Sequence, residues 1–318
     1  MVRGMMVVDL TQQLPGPFAT ALLVSLGARV VKVEPPHGDP ARELDPAMFA
    51  RVNASKECVR LDLKSAAGQA SLHALVVRAD VLVESFRPGV ADRIAAGWET
   101  CRELNPRMVH CSVSGFGPVG PYAQVPVHDL NLLAWGDPVG ARQSAGRIGV
   151  PWVDLGTGTT AALMIVAAWH AAVDSGQGRH LDVSMQDIAL SWSRVKPLRD
   201  GAEPTYSVYP TRDGREVVVA ILEDHFWERL CQALRLDDLH ADAELATYSG
   251  RRERAAHVDA RLAQAIAGLS IADVVSLAVE FDLPITTVDP ADDPRAVRHL
   301  ADNGFSPTAF RLPTERGT

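Results

Sequence analysis

Short apolar runs alternate with longer helical patterns along the first 190 residues of the chain. Six runs are rich in β-branched residues, as strands buried on both faces of a parallel sheet are: 5–10, 30–34, 58–63, 81–86, 108–112 and 180–184. Helices are predicted between them at 17–26, 66–78, 90–96, 156–173 and 186–195. This alternation predicts a large Rossmann-like α/β domain, with helices on both faces of a parallel sheet.

The pattern changes where turn-forming residues cluster, between Arg199 and Pro204. Beyond this point, the Asp213-Gly214 pair lies between two strand-like runs, which predicts a β-hairpin. The later segments predict helices at 224–234, 251–269 and 271–281, and a strand at 283–288. We therefore expect a large domain over residues 1–198 and a small α+β domain over residues 199–288.

Composition is that of a soluble globular protein: of 318 residues, 47% are hydrophobic and 22% are charged. The formal net charge of −8 predicts no general attraction to nucleic acid or to an anionic membrane surface. The four cysteines have neither the C-x-x-C spacing nor the histidines of a zinc site, so we expect reduced thiols and no metal. The N-terminus does not resemble a signal peptide, and the apolar stretch 159–173 is short for a membrane span, which favours a cytoplasmic protein.

Four local motifs could carry chemistry. The Gly115 to Gly120 segment has the G-x-G-x-x-G spacing of a dinucleotide site, but its prolines disfavour the helix that such a site needs. Asp154 precedes a long apolar helix, where it could cap the helix or act on a substrate beside the positive helix end. His128, in a polar cluster, reads as structural when taken alone. Glu223, just before a helix, reads as a cap that Asp224 could share.

A set of motifs in order along nearly the whole chain resembles the class III CoA-transferase and α-methylacyl-CoA racemase family. The motifs are Val8-Asp-Leu-Thr11 with Pro15-Gly-Pro17, Gly27 to Glu34, Leu61-Asp-Leu-Lys64, Asp80 to Gly89, Ser112 to Tyr122, Gly176 to Ser184 and Leu283 to Val288. The resemblance implies a large α/β domain that binds coenzyme A, a smaller domain, and a homodimer of two interlocked chains. It also implies that the segment 289–318 returns to the large domain.

In this family the aspartate that corresponds to Asp154 is either a nucleophile, in the transferases, or a proton carrier, in the racemases. The segment from His128 to Asn131 resembles the racemase motif G-H-D-x-N-Y, and Glu223 resembles the glutamate that orients the catalytic histidine. The resemblance therefore favours a racemase that moves the α-proton of a 2-methylacyl-CoA between Asp154 and the His128–Glu223 pair. The backbone amides of Gly156 and Thr157 would stabilise the enolate oxygen if Asp154 opens the helix.

Coenzyme A is expected as part of the substrate, and no other cofactor is implied. The positions that match family contacts to the nucleotide or the pantetheine arm are Gln13, Leu14, Lys64, Phe86, Arg87 and Arg93. Taken singly, each Lys or Arg among them reads as a solvated surface charge.

Several positions depart from the racemase pattern. Leu132 replaces the usual Tyr, Val127 replaces Gly, and the chain is shorter than typical relatives between Asn131 and Asp154. Two alternatives therefore stay open: a class III CoA-transferase that uses Asp154 as a nucleophile, and a relative that binds CoA without catalysis.

Overall fold

The computed structural model describes residues 1–143, 146, 149–195 and 203–303. The described residues form two compact units, one within residues 1–195 and the other over residues 203–303. Residues 289–303 belong to the second unit, and 304–318 are outside the described residues, so the predicted return of the C-terminal segment stays a prediction.

The first unit is built on a parallel sheet of six strands. The strands are β1 (Met6–Asp9), β2 (Arg29–Glu34), β3 (Glu57–Arg60), β4 (Val81–Glu84), β5 (Val109–Ser114) and β6 (Arg179–Ser184). Their order in the sheet is β3-β2-β1-β4-β5-β6, and each neighbouring pair is parallel. The order reverses between β1 and β4, which is where open α/β sheets bind ligands at the carboxyl ends of the strands.

Ten helices belong to the described part of this unit. They are α1 (Pro15–Ser25), α2 (Ala41–Leu44), α3 (Pro46–Asn53), α4 (Ala66–Val76), α5 (Val90–Arg93), α6 (Trp98–Leu104), α7 (Asp129–Gly136), α8 (Pro138–Gln143), α9 (Trp152–Ser175) and α10 (Met185–Val195). One apolar core joins α1 and α9 to one face of the sheet, and a second joins the other face to α4 and α6. Successive buried residues of β1 and β4 belong alternately to the two cores, so both faces of the sheet are covered, as the sequence predicted.

The second unit contains an antiparallel sheet of three strands, β7 (Tyr206–Pro210), β8 (Glu216–Ala220) and β9 (Ile285–Thr287), in the order β7-β8-β9. Its helices are α11 (Asp224–Leu234), α12 (Asp237–His240), α13 (Tyr248–Glu253), α14 (Ala255–Ala267), α15 (Ile271–Glu280) and α16 (Pro294–Asp302), with short 3₁₀ turns at Ala243–Ala246 and Pro290–Asp292. Trp227 and Leu230 of α11 pack with the strands in its core.

The sequence predictions identified all six parallel strands and the hairpin, and the chain has the expected mixed α/β architecture. No helix starts within Gly115 to Gly120, as the prolines predicted. The helix predicted over 251–269 is divided at Arg254. The helices that were missed are short, with nine residues or fewer: α2, α3, α6, α7, α8, α12 and α16.

Helix α9 is longer than predicted, with 24 residues from Trp152 to Ser175. Among the described residues, α9 is long and apolar enough to cross a membrane by length and composition. Helices α14 and α15, with a bend between them, pass the same test only when they are taken together. The expectation that this stretch is too short was therefore wrong. Its packing against α1 and the sheet is nevertheless that of a core helix.

Candidate active site

Two loops meet at the reversal point of the parallel sheet. One follows β1 and leads into α1, and the other follows β4. The backbone N–H of Gln12 in the first loop donates to Ser85 Oγ in the second, over 3.1 Å. The predicted contacts Gln13, Leu14, Phe86 and Arg87 therefore lie on adjacent loops at the carboxyl edge of the sheet.

The backbone of both loops is held in defined conformations. Gln13 has a φ of +64°, in the left-handed region, and its N–H points to Asp39 Oδ1. The Phe86 N–H donates to Glu84 Oε2 over 2.7 Å. Burial, as the largest effect, raises the pKa of Glu84 even though this hydrogen bond and the Ser112 hydroxyl stabilise its charged form. Glu84 thus fixes the start of the second loop.

The three predicted cationic contacts are exposed. Arg87 lies in the loop after β4, Arg93 ends the short helix α5, and Lys64 follows β3. Since β3 is separated from β1 by β2, Lys64 lies at the same edge of the sheet but farther from the two loops than Arg87. Their side chains are available to a phosphate group.

The N-terminal ends of α1 and α9 lie against each other. A Cβ atom at Gly158 would be 2.6 Å from the Pro15 carbonyl oxygen and 2.9 Å from Phe18 Cδ1, so only glycine permits this approach. Pro15 directly follows Leu14, and Gly158 is one helical turn after Asp154. The structure therefore brings the first turn of α9 beside the loop that holds Gln13 and Leu14.

Asp154 is in this first turn, but it does not open the helix. The residue that precedes α9 is Pro151, and the capping acceptor comes from α7: Asp129 Oδ1 accepts from the N–H groups of Val153 and Asp154 over 2.8 and 2.9 Å. The capping interpretation of Asp154 was therefore wrong. Its carboxylate is free of that role, because Asp129 supplies the cap from another helix.

The surroundings of Asp154 favour its protonated form. Burial and, secondly, the negative charge of Asp129 raise the pKa of Asp154 to about 7. Within the described residues, no Lys, Arg or His forms an ion pair with it. Burial also raises the pKa of Asp129, although the hydrogen bonds that it accepts from the two N–H groups act to lower it. A carboxyl group with this pKa can serve as a nucleophile or as an acid/base group near neutral pH.

The N–H groups of Gly156 and Thr157 would be free to form an oxyanion site only if Asp154 opened the helix, and it does not. Gly156 and Thr157 are the fifth and sixth residues of α9, where helical geometry pairs their N–H groups with the carbonyls of Trp152 and Val153. Both residues are buried, and a Cβ on Gly156 would be 2.7 Å from the Trp192 ring. The expectation was wrong because the helix begins earlier than the sequence pattern predicted.

His128 directly precedes α7 and is exposed. Its N–H donates to Asn131 Oδ1 over 3.0 Å, and its carbonyl accepts from the Asn131 N–H. The next residue, Asp129, contacts the first turn of α9. The structure thus places His128 one residue from the group that caps the helix of Asp154.

Glu223 belongs to the second unit, where it is exposed at the start of α11. Its side chain makes no capping hydrogen bond, and Asp224 instead pairs with the buried Arg251, with Asp224 Oδ1 and Arg251 Nη2 2.9 Å apart. The proposed shared cap was therefore wrong, and the predicted pairing of Glu223 with His128 stays a prediction.

Asp129 is the main site residue that was missed. The signal was present in the His128-Asp129 pair, but sequence spacing could not show that its carboxylate reaches a helix that begins more than twenty residues later. No group of three or more potential metal ligands occurs among the described residues.

Comparison with known proteins places the chain in a family. The sequence profile described as CoA-transferase family III matches residues 2–311. The chain belongs to CoA-transferase family III. The recognition made from the motifs is thereby confirmed at the level of the family.

Relatives that are named as CoA-transferases align with most of the chain. An acetyl-CoA:oxalate CoA-transferase of Acetobacter aceti is 36% identical over 267 residues, which is 75% of this chain and 68% of the relative. A formyl-CoA:oxalate CoA-transferase of Streptomyces coelicolor is 36% identical over 294 residues, which is 79% of this chain and 70% of the relative. These transferase names fit the alternative interpretation better than the racemase one.

Solved structures show the same fold. A CaiB/BaiF family protein from Brucella suis has a TM-score of 0.78 and 27% identity, and the match covers 93% of this chain and 87% of that one. A protein from Mycobacterium tuberculosis, Rv3272, has a TM-score of 0.82 and 26% identity, and the match covers 94% of this chain and 88% of that one. The six-stranded parallel sheet and the small antiparallel sheet therefore match the fold of this family.

Proposed function

We propose that this protein transfers coenzyme A between carboxylic acids, with Asp154 as the nucleophile. The observation that carries the proposal is a half-buried carboxyl group without a cationic partner among the described residues, in the first turn of α9 beside the loop of Gln13 and Leu14. The names of the similar transferases support the same reaction class. At neutral pH a substantial fraction of a group with a pKa of about 7 is ionised and can attack.

In the proposed reaction, Asp154 attacks the thioester carbonyl carbon of a donor acyl-CoA, and the carbon–sulfur bond breaks to release the CoA thiolate. The thiolate attacks the aspartyl carbonyl of the resulting anhydride, which releases the donor carboxylate and leaves an aspartyl-CoA thioester. An acceptor carboxylate attacks this thioester and releases the thiolate again. Attack of the thiolate on the acceptor's acyl carbonyl forms the new acyl-CoA and regenerates Asp154.

The loops after β1 and β4 are the proposed site of the pantetheine arm, through Gln13, Leu14 and Phe86. Arg87, Arg93 and Lys64 would meet the phosphates, since each is exposed and cationic. Coenzyme A enters as part of the substrate, and the proposal includes no other cofactor.

The interlocked homodimer and the cytoplasmic location are further parts of the proposal. Large apolar side chains are exposed on the single chain, such as Leu163 and Trp192, and burying such side chains would stabilise an association. Light scattering after size-exclusion chromatography is expected to give twice the chain mass, and a monomer at micromolar concentration would argue against this part.

The test of the transferase is detection of the covalent intermediate. The protein is mixed with acyl-CoA and an acceptor acid, and hydroxylamine-sensitive mass additions are mapped by mass spectrometry. We expect an adduct on Asp154, none in Asp154→Asn, and an unchanged adduct in Asp174→Asn, a control that alters an exposed aspartate near the other end of α9. Absence of any adduct in the active wild type would refute the nucleophilic role.

A two-base racemase is the second candidate, because His128 directly precedes Asp129, which contacts the first turn of α9. Two acid/base groups on opposite faces of an α-carbon would exchange its proton with solvent. Incubating a 2-methylacyl-CoA in deuterated water distinguishes the two reactions. Deuterium uptake that requires both His128 and Asp154, without an adduct, would favour the racemase.

A further inference from the structure

Three polar side chains, Glu84, Ser112 and His180, connect the loop after β4 with the surface of the first unit, and we call them the relay. Glu84 and Ser112 are register partners on β4 and β5. Ser112 is the register partner of Asp182 on β6, and His180, two residues earlier on that strand, lies on the same face. Glu84 is 5% exposed, whereas the His180 side chain, on an edge strand, is 32% exposed. The relay therefore runs from the interior to solvent.

Hydrogen bonds join the members of the relay to each other and to the loop. Glu84 Oε2 accepts from the Phe86 N–H over 2.7 Å. The Ser112 hydroxyl stabilises the charged form of Glu84 by a further hydrogen bond, and Ser112 Oγ is 3.0 Å from His180 Nε2. A hydroxyl group has one hydrogen to donate. When Ser112 donates to Glu84, its oxygen must therefore accept from His180.

The surroundings of His180 favour a hydrogen on the nitrogen that faces Ser112. Asp182 Oδ1 is 3.9 Å from His180 Nε2, and a nearby carboxylate favours the protonated nitrogen over the bare lone pair. The imidazole is stacked on the Trp98 ring, with centroids 5.7 Å apart and an angle of 12° between the planes. This stacking fixes the ring, so Nε2 stays within hydrogen-bond distance of Ser112.

The second histidine of this face has a different role. His110 is the register partner of His180 on β5 and is buried. Its Nε2 donates to the Ala96 carbonyl over 2.9 Å, and burial lowers the pKa of His110 to about 4. His110 is thus neutral near pH 7 and bonded away from Glu84. Of the two imidazoles, only that of His180 contacts Ser112.

Glu84 depends on its hydrogen-bond donors. Burial is the largest effect on its carboxyl group and raises its pKa, so its charge needs support from the protein. Within the part of the chain that the structure describes, no Lys or Arg forms an ion pair with Glu84. The Ser112 hydroxyl and the Phe86 N–H are therefore the groups that stabilise the carboxylate, and His180 orients the first of them.

We propose that His180 is a positioning residue for coenzyme A, which acts through Ser112 and Glu84 on the backbone of Phe86. The His180 N–H directs the Ser112 hydroxyl toward Glu84, and Glu84 holds the start of the loop after β4. The proposal rests on the proposed binding of coenzyme A by this loop and adds a residue that acts on it from the edge of the sheet. Since the relay takes no part in bond making at Asp154, its loss weakens binding and spares turnover.

The first experiment compares two substitutions that keep different parts of the His180 side chain. His180→Phe keeps a ring to stack on Trp98 but has no donor, whereas His180→Gln keeps an N–H donor but has no ring. We expect His180→Phe to raise the Kd of coenzyme A, measured by titration calorimetry, and the KM of acyl-CoA about threefold, with kcat unchanged, because one hydrogen bond is lost. His180→Gln should restore most of the affinity.

His170→Phe is the matched control. His170 is also an exposed histidine whose ring contacts a tryptophan, Trp169, but it lies near the end of α9 that precedes β6, away from the carboxyl edge of the sheet. Its replacement should leave Kd unchanged. Weaker binding in His180→Gln than in His180→Phe would show that ring packing alone matters. That result, or wild-type affinity in His180→Phe, would overturn the proposal.

The second experiment asks whether His180 acts through Glu84. Glu84→Ala removes the end of the relay that holds the Phe86 N–H, so adding His180→Phe to it should raise Kd no further. Residues of one hydrogen-bond network show such non-additive effects. Ser112→Ala should reproduce His180→Phe and likewise add nothing to it. Increases in Kd that multiply in the double variants would reject the relay.

Binding of coenzyme A itself separates this proposal from the transferase function. If the wild type binds coenzyme A but forms no adduct on Asp154, the transferase function fails, and the Kd values of the variants still decide on the relay. If the adduct forms but His180→Phe binds as tightly as the wild type, the function stands and the relay fails. A wild type that does not bind coenzyme A would reject both.

Discussion

Two aspartates of the first unit are shielded from solvent, Asp9 fully and Asp154 in part, and they differ in their partners. Asp9, at the end of β1, is fully buried, and its Oδ2 is 3.0 Å from Lys56 Nζ and 2.7 Å from the Thr20 hydroxyl. Burial works to raise its pKa, but the charges of Lys56 and Lys32 and two hydroxyl groups hold the pKa of Asp9 well below its usual range. Asp9 is therefore an ionised structural group.

Asp154 has the opposite environment. Its carboxyl group has no cationic partner among the described residues, and its carboxylate neighbour Asp129 adds to the effect of burial. Burial alone thus does not define a reactive site. The difference is that the charge of Asp9 is already neutralised by the protein, whereas the charge of Asp154 remains available for a substrate.

Asp154→Asn should have the largest effect on activity. We expect transfer to fall on the order of 10³-fold or more, because the variant lacks the nucleophile. Stability at pH 8 should be unchanged or higher, since an unpaired and partly buried charge has been removed. Steady-state kinetics and urea unfolding measure the two effects. A variant that keeps wild-type turnover would remove the distinction between the two aspartates.

Asp9→Asn should have the largest effect on stability. Removing one partner of a buried pair leaves Lys56 uncompensated and is expected to cost about 3–5 kcal/mol of the free energy of unfolding. Urea unfolding measures this loss. The double variant Asp9→Asn with Lys56→Met should recover part of it, because the orphaned charge is gone. Single and double variants of equal stability would contradict the structural role of the pair.

The pH dependence separates the two groups further. Only the ionised form of Asp154 attacks, so kcat/KM should rise with pH on an acid limb with a midpoint near 7. The native state holds this proton more tightly than the unfolded state, in which the pKa is 3.8, so Asp154 lowers stability progressively as pH rises from about 4 to 7. Asp9, with its lowered pKa, contributes stability that is present above pH 3.8 and is lost in more acidic solution.

Asp129→Asn sharpens this pH test. The amide oxygen can still accept from the N–H groups of Val153 and Asp154, but the negative charge is lost. We expect the acid limb to move to lower pH while staying above 3.8, since burial is the larger cause of the raised pKa. An unshifted limb in the pH profile of kcat/KM would show that Asp129 acts as a cap alone.

Glu84→Ala should have the smallest effect. It removes the acceptor of the Phe86 N–H, and a lost hydrogen bond of this kind corresponds to roughly a fivefold change. We expect KM for the acyl-CoA to rise by about that factor with little change in kcat. Glu84→Gln keeps an acceptor oxygen and should restore much of the affinity. A fall in kcat alone would assign Glu84 a role other than positioning the loop.

The sequence predicted the parallel strands well because their apolar runs are local and nearly continuous. It placed the start of α9 four residues late, because Trp152 and Val153 precede the densest apolar stretch. The oxyanion expectation for Gly156 and Thr157 was wrong for the same reason, since it depended on a later start of the helix. The family motifs identified Asp154 and the carboxyl-edge loops. The motifs also favoured a racemase through His128, whereas the named relatives favour a transferase.

The sequence by itself determined the sheet, the family and the aspartate to test, because periodicity and motif order are properties of neighbouring residues. Only the tertiary structure decided what each aspartate does. Lys56 reaches Asp9 from 47 positions away, and Asp129 reaches the backbone of α9 from 24 and 25 positions away. The pKa of a buried carboxyl group depends on such distant charges, and the packing of helices and strands brings them together.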